Sequence, residues 1–297
     1  MSAKAAEAEA GVCCANCGVA EVDIKLKDCD GCDLVKYCCD KCTENHREQH
    51  NEECKKRAQE LHNDHLFRQP DGTHDGECPL CFLPMPLEPQ KCTFYSCCSS
   101  SICNGCAFAH HVMNGVGFNC PFCREPLSDA EENEKRDMKR IKAGDPAAIY
   151  SMGAKYYGQG DYDGALEHWT KASELGHALA HYQLGCMYRR GLGVEKKDEE
   201  KAVYHWEKAA IGGVPEARYN LAVTEEANGN IERAVKHSII AAKLGDELSM
   251  KGLWGFYNDG NITKDDLDAT LRTHKAALDE MKSPERDVAE AFHNSRR

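Results

Sequence analysis

CANCGVAEVDIKLKDCDGCDLVKYCCDKCTENHREQHNEEC, residues 14–54, decides how the front of this chain folds. Its cysteines fall in short-range pairs: Cys14-x2-Cys17, Cys29-x2-Cys32, Cys38-x3-Cys42 and then His50-x3-Cys54. A two-residue gap lets both sulfurs of a tight turn reach one tetrahedral ion at about 2.3 Å, and Gly18 and Gly31 ease those turns. A three-residue gap places two ligands one turn apart on one face of a helix, and the polar stretch from Asp40 to Gln59 is helix-compatible. Four half-sites make two whole sites. The spacing suits an interleaved arrangement, in which the first half-site shares an ion with the third and the second with the fourth.

Working outward, eighteen of the nineteen cysteines lie between Cys13 and Cys123, leaving Cys186 alone in the second half. Such wealth means either a disulfide framework in an oxidising compartment or thiolate metal sites in a reducing one. The opening MSAKAAEAEAG has no apolar run of the kind a secretion signal needs, and nowhere do eighteen apolar residues follow one another. The expectation is therefore reduced thiols in a cytoplasmic or nuclear protein, neither secreted nor membrane-spanning. The net charge of −12 argues against a general nucleic-acid binder, because phosphate affinity comes from clustered Lys and Arg. The short basic runs Lys55-Lys56-Arg57 and Lys139-Arg140 read as solvated helix faces.

The pattern of Cys pair, Cys pair, aromatic-Cys-x3-Cys and His-x3-Cys, with Tyr37 before Cys38, resembles the MYND zinc finger over the whole module. The resemblance implies that Cys14, Cys17, Cys38 and Cys42 hold one zinc and that Cys29, Cys32, His50 and Cys54 hold the other. It also implies a platform for short proline-containing peptides rather than a catalyst. Cys13, Cys39 and His46 stand outside the ligand set, since a tetrahedral site has four places.

A second set runs Cys78-Pro-Leu-Cys81, Cys92, Cys97-Cys98, Cys103-Asn-Gly-Cys106 and Cys120-Pro-Phe-Cys123-Arg124. A module of this size cannot fold on its apolar residues alone, whereas a structural zinc offers on the order of 10 to 16 kcal/mol. The arrangement resembles a RING finger, the cross-braced zinc module of ubiquitin ligases, in an all-cysteine-like variant. That implies Cys78, Cys81, Cys103 and Cys106 at one ion, and Cys98, Cys120 and Cys123 at another. The fourth place there falls to Cys97 or Cys92, with His110 and His111 as further alternatives; Cys97 is preferred. The family's contacts to a ubiquitin-conjugating enzyme carry over to Leu80, Pro121 and Arg124. Four zinc ions are expected in all, two per module.

From about residue 145 the composition changes to Ala, Leu, Tyr, Gly and charged residues with a 3.6-residue apolar period, the mark of helices. Ala148-IYS-Met152-Gly153 recurs as Ala180-HYQ-Leu184-Gly185 and Ala217-RYN-Leu221-Ala222, with a fainter copy at Ser249 to Trp254. Each is followed by a second recurring piece, Ala165-LEHW, Ala202-VYHW and Ala234-VKHS. Small residues at the repeated Ala and Gly positions let two helices approach closely, so each pair buries its apolar face on the next. The Gly191-LGVEKKDEE loop accounts for the longer second period.

These repeats resemble the Sel-one-like branch of tetratricopeptide repeats, on Leu184-Gly185, Tyr188-Arg-Arg-Gly191-Leu-Gly193-Val194 and Lys208-Ala-Ala. That implies a concave surface for an unknown protein or peptide. His168, His205 and His237 recur at one position, but solenoid helices 8–10 Å apart cannot bring three such nitrogens to one ion, so they read as structural.

The expected architecture is multi-domain: two small cross-braced α+β zinc modules, then an all-α solenoid. Its boundaries are a disordered 1–12, a finger at 13–57, a linker at 58–77, a RING-like module at 78–127, a helical linker at 128–144, repeats at 145–261, and capping helices and tail at 262–297. The expected function is an adaptor that recruits substrates through finger and repeats and acts as a RING-type ubiquitin ligase without a covalent intermediate. A non-catalytic scaffold or corepressor-like adaptor is the alternative.

Overall fold

The computed structural model describes residues 14–16, 25–113, 119–126 and 130–295. Cys13, Cys17 and the amino-terminal stretch expected to be disordered lie outside the described residues. The chain divides into two compact units, Met1–Arg68 and Gln69–Arg297.

In the first unit, β1 (Lys27–Asp28) pairs antiparallel with β2 (Lys36–Tyr37), and the hairpin holds Cys29 and Cys32 between its strands. The Ala15 amide donates to the Lys36 carbonyl at 2.9 Å, which ties the Cys14 turn to the same hairpin. Cys14, Leu26, Tyr37 and Cys42 form the buried centre. The helix α1 runs from Asp40 to Leu66, longer than the expected segment ending near Gln59. It takes up residues assigned above to a linker, because Lys55 to Leu66 contains only helix-compatible side chains and Pro70 is the first residue able to break it.

In the second unit, β3 (Cys92–Tyr95) and β4 (Ser100–Cys103) form a tight antiparallel hairpin with Tyr95 opposite Ser100. It leads into α2 (Asn104–Phe108) and a π-helical turn, Ala109–Met113. Met85, Tyr95 and Ile102 are its buried apolar centre among the cysteines. After α3 (Ala130–Lys142) the helices α4 (Pro146–Gly158), α5 (Tyr162–Glu174), α6 (Ala178–Arg190), α7 (Glu199–Ile211), α8 (Pro215–Ala227) and α9 (Ile231–Lys243) pack in sequence, each on the next. Asp145, Asp161 and Asp198 accept backbone N–H groups at the starts of α4, α5 and α7, satisfying amides that have no partner within the helix.

The repeated small residues have one specific job. A Cβ on Gly153 would stand 2.6 Å from the Trp169 indole, and one on Gly185 would stand 2.5 Å from that of Trp206. Both indoles are buried. In the third repeat the glycine is Ala222 and the tryptophan is Ser238, so the larger and smaller residues exchange together. Two further helices, α10 (Glu247–Asn258) and α11 (Lys264–Glu280), complete the stack. The final helix, α12 (Pro284–Asn294), begins at Pro284 with Ser283 as its cap. Its docking differs from the expected capping role: α12 packs on α2 of the cysteine-rich module, with the Phe108 and Phe292 rings 4.9 Å apart.

Candidate metal centres

Four groups of ligand atoms converge, each group lying within 4.8 Å of one another: Cys29, Cys32, His50 and Cys54; Cys14, Cys38 and Cys42; Cys78, Cys81, Cys103 and Cys106; and Cys97, Cys98, Cys120 and Cys123. Among the described residues, no cysteine is joined in a disulfide. Sulfur separations of 3.7 Å for Cys29–Cys54, 3.5 Å for Cys38–Cys42, 3.8 Å for Cys81–Cys103 and 3.6 Å for Cys98–Cys120 lie far beyond a disulfide bond. They match the edge of about 3.8 Å of a tetrahedron whose arms are zinc–sulfur bonds of about 2.3 Å. The donor sets therefore fit zinc by size and chemistry.

In the finger, Cys42, His46, His50 and Cys54 fall every fourth residue along one face of α1. That face serves both clusters: Cys42 joins Cys14 and Cys38, while His50 and Cys54 join the hairpin pair, with His50 Nε2 3.1 Å from the Cys32 sulfur. His46, between them, is taken by the Tyr37 hydroxyl at 3.0 Å. Cys39 is exposed and stands outside the cluster. The interleaving of first with third and second with fourth half-sites is what the structure displays among the described residues.

The second module brings its cysteines together through two local devices. The first is the hairpin turn Ser96–Ser99, which swings back tightly enough for adjacent Cys97 and Cys98 to face one cluster, with Ser99 in the left-handed region at φ 51°. Cys97 lies 3.4 Å from Cys123. Cys92 instead points its thiol at the Pro86 carbonyl, and burial, then the Asp75 carboxylate, push its pKa up to about 12. His111 shares a hydrogen bond with the Tyr95 hydroxyl and His110 Nε2 donates to the Asn119 carbonyl, so neither enters a cluster.

The second device is a knuckle used twice, whose sequence signal is the repeat Cys-Pro-x-Cys-x-x-Pro at 78–84 and 120–126. The reading of cysteine pairs alone passes over it. In the first knuckle, the Phe82 amide donates to the Cys78 carbonyl and the Cys78 amide to Leu83; in the second, Arg124 donates to Cys120 and Cys120 to Glu125. Phe82 (φ 57°) and Arg124 (φ 61°) are both left-handed, as the loop demands of whatever residue follows its second cysteine.

Burial pushes the thiols of Cys97 and Cys106 above their ordinary range, reinforced by hydrogen bonds to Cys123 and Cys103. At Cys78 burial works the same way, but backbone N–H groups of Cys103, Cys81 and Leu80 outweigh it and hold the pKa at about 7. Four sulfurs this close become anionic together only around a cation. Leu80 and Arg124 are exposed and Pro121 is half-buried, each inside or beside a knuckle.

In the repeats, His168 Nδ1 faces the Gly164 carbonyl, His205 pairs with His181, and His237 is fully buried; none belongs to a ligand cluster. Among the described residues, no helix is long and apolar enough to cross a membrane.

The MYND finger family model matches residues 14–54, and the Sel1 repeat model matches residues 146–177, 178–214 and 215–246. Among solved structures, the chain is similar to a Sel1 repeat protein from Oxalobacter formigenes, at 26% identity over 58% of this chain and 70% of that one, with a TM-score of 0.44. It is also similar to c5321, a protective antigen of uropathogenic Escherichia coli strains displaying an SLR fold, at 28% identity over 50% of this chain and 33% of that one, with a TM-score of 0.42. The protein thus carries a zinc-binding MYND finger and three Sel1 repeats, the equipment of a zinc-finger protein-interaction adaptor.

Proposed function

We propose that this adaptor holds four zinc ions, two in the finger and two in a RING-like module spanning residues 78–127, and promotes ubiquitin transfer. Cys14, Cys17, Cys38 and Cys42, then Cys29, Cys32, His50 and Cys54, are the finger's ligands. Cys78, Cys81, Cys103 and Cys106, then Cys97, Cys98, Cys120 and Cys123, are those of the second module. The observation that carries the reading is the alternation of those last two sets along the chain, first and third pairs in one cluster and the remainder in the other. Two structural ions would hold the knuckles rigid; they supply shape, not chemistry.

The working groups are Leu80, Pro121 and Arg124. Leu80 and Pro121 offer apolar contact to a ubiquitin-conjugating enzyme, and Arg124 offers a charge-assisted hydrogen bond to the thioester-linked ubiquitin. Transfer is then positional: the thioester is held where a substrate lysine is its nearest nucleophile, with the finger gripping a proline-containing peptide and the repeats another protein segment. The test is self-ubiquitylation with purified activating and conjugating enzymes. Because Arg124 is left-handed, Arg124→Gly removes the side chain while keeping the loop. It is expected to slow transfer about ten- to hundredfold, the loss of one hydrogen bond to a charged group. Absence of transfer across a broad panel of conjugating enzymes rejects the ligase in favour of a scaffold.

A further inference from the structure

The two knuckles share a fold, and each is gripped from outside by an arginine. Arg136 of α3 donates to the Pro126 carbonyl at 3.1 Å and lies beside the Glu125 carboxylate. Arg286 of α12 donates to the corresponding carbonyl, Pro84, at 2.8 Å, and its other terminal nitrogen reaches the Leu83 carbonyl at 3.4 Å. Arg286 goes further than its counterpart. The same nitrogen donates to the Cys81 sulfur at 3.5 Å, and the guanidinium charge also acts on the sulfur of Cys103. Both cysteines belong to one ligand cluster, more than 180 residues away in sequence. The approach is close throughout: a Cβ on Gly105 would stand 2.8 Å from the Arg286 amide nitrogen.

Four thiolates around a divalent ion leave a formal charge of −2, partly enclosed in protein, and N–H donors to the sulfurs lower the cost of that charge. Outer partners of metal ligands commonly govern metal affinity by 10- to 100-fold. From this geometry we infer that Arg286 is a positioning residue for the Cys78/Cys81/Cys103/Cys106 site, and that α12 is a latch whose docking is coupled to zinc there. Zinc favours the docked helix, and by linkage the docked helix favours zinc. The inference rests on the zinc reading of that cluster.

The experiment follows zinc leaving the full-length, zinc-loaded protein into the chromogenic chelator 4-(2-pyridylazo)resorcinol. Cys78→Ser identifies the kinetic phase that belongs to this site. Arg286→Ala is expected to speed that phase about tenfold or more. Arg286→Lys, which keeps the charge with fewer donors, falls between it and the wild type. Arg136→Ala, which removes the equivalent carbonyl contact without touching a sulfur, leaves that phase unchanged. In hydrogen exchange, the α12 amides lose protection as this phase proceeds.

An Arg286→Ala phase at the wild-type rate overturns the latch, and so does equal acceleration by Arg136→Ala, which would mean general loosening. If Arg286→Ala does not fold, wild-type release from Arg286→Lys overturns it equally. A Cys78→Ser protein that loses no phase removes the zinc site itself, and the latch with it.

Discussion

The cysteine-rich modules and the repeats close their interiors by opposite means. In the first, sulfurs stand at tetrahedral-edge distances from one another, and few apolar residues such as Met85, Tyr95 and Ile102 lie behind them. In the second, Trp169 fits against Gly153 and Trp206 against Gly185 with no room left over. One interior converges on thiol clusters of a size that fits zinc, and the other closes by contact. The difference teaches where each half is vulnerable: the first to anything that takes metal or protonates thiolates, the second to a single methyl group.

Chelation is the largest way to break that comparison. All three tryptophans, Trp169, Trp206 and Trp254, lie in the repeat region, so their emission reports on the repeats alone. Removing zinc withdraws about 10 to 16 kcal/mol per structural ion. Cysteines of both modules are expected to become reactive to a thiol reagent, while tryptophan emission and its urea midpoint stay close to those of the loaded protein. A single transition in which thiol reactivity and emission change together would show that the two interiors are not independent.

The next test sharpens the contact side. Trp206→Ala is expected to destabilise the repeats by about 3–5 kcal/mol, and Gly185→Ala by about 1–3 kcal/mol through overpacking against the indole. Both leave the zinc content unchanged. Because Ala222 and Ser238 stand in those places in the third repeat, Gly185→Ala combined with Trp206→Ser should cost less than the sum of the two single changes. Urea unfolding followed by far-ultraviolet circular dichroism measures the coupling; strict additivity would mean that the pair does not interlock.

How far these features can be read without coordinates follows the range of the interaction. Cysteine pairs two or three residues apart, and repeats that restate themselves within 40 residues, are local patterns, so the ligand groups and helix pairs are legible. The presence of Cys97 rather than Cys92 in a cluster depends on hairpin register, which brings Tyr95 opposite Ser100 and turns both adjacent thiols the same way. Nothing between Cys92 and Cys103 announces that register. The exchange of Gly and Trp for Ala and Ser is visible in the repeats, yet only the 2.5 Å approach explains it. The docking of α12 on α2, and Arg286 on the first knuckle, join segments far apart in sequence and have no local signal. The extension of α1 to Leu66 escapes for another reason: its polar side chains lack the apolar stripe by which helices are recognised.

Acidification is the smallest test, and it separates the two interiors by mechanism. Burial, reinforced by the charges of Arg218 and Arg233, holds the fully buried His237 at a pKa of about 3, and burial holds His205 and His177 at about 4. In the unfolded chain a histidine titrates near 6.5. Since the folded values are the lower ones, the unfolded state takes up protons first as pH falls. Stability from these residues is complete above about pH 6.5 and is lost progressively from there toward pH 3–4. Between pH 7 and 5.5 His237 alone should cost the repeats about 1 kcal/mol, with His205 and His177 acting in the same direction. The urea midpoint of tryptophan emission should drop accordingly, and His237→Gln should flatten the dependence. A midpoint unchanged down to pH 5.5 would mean that His237 accepts its proton in the folded repeats, and that their interior is open to water.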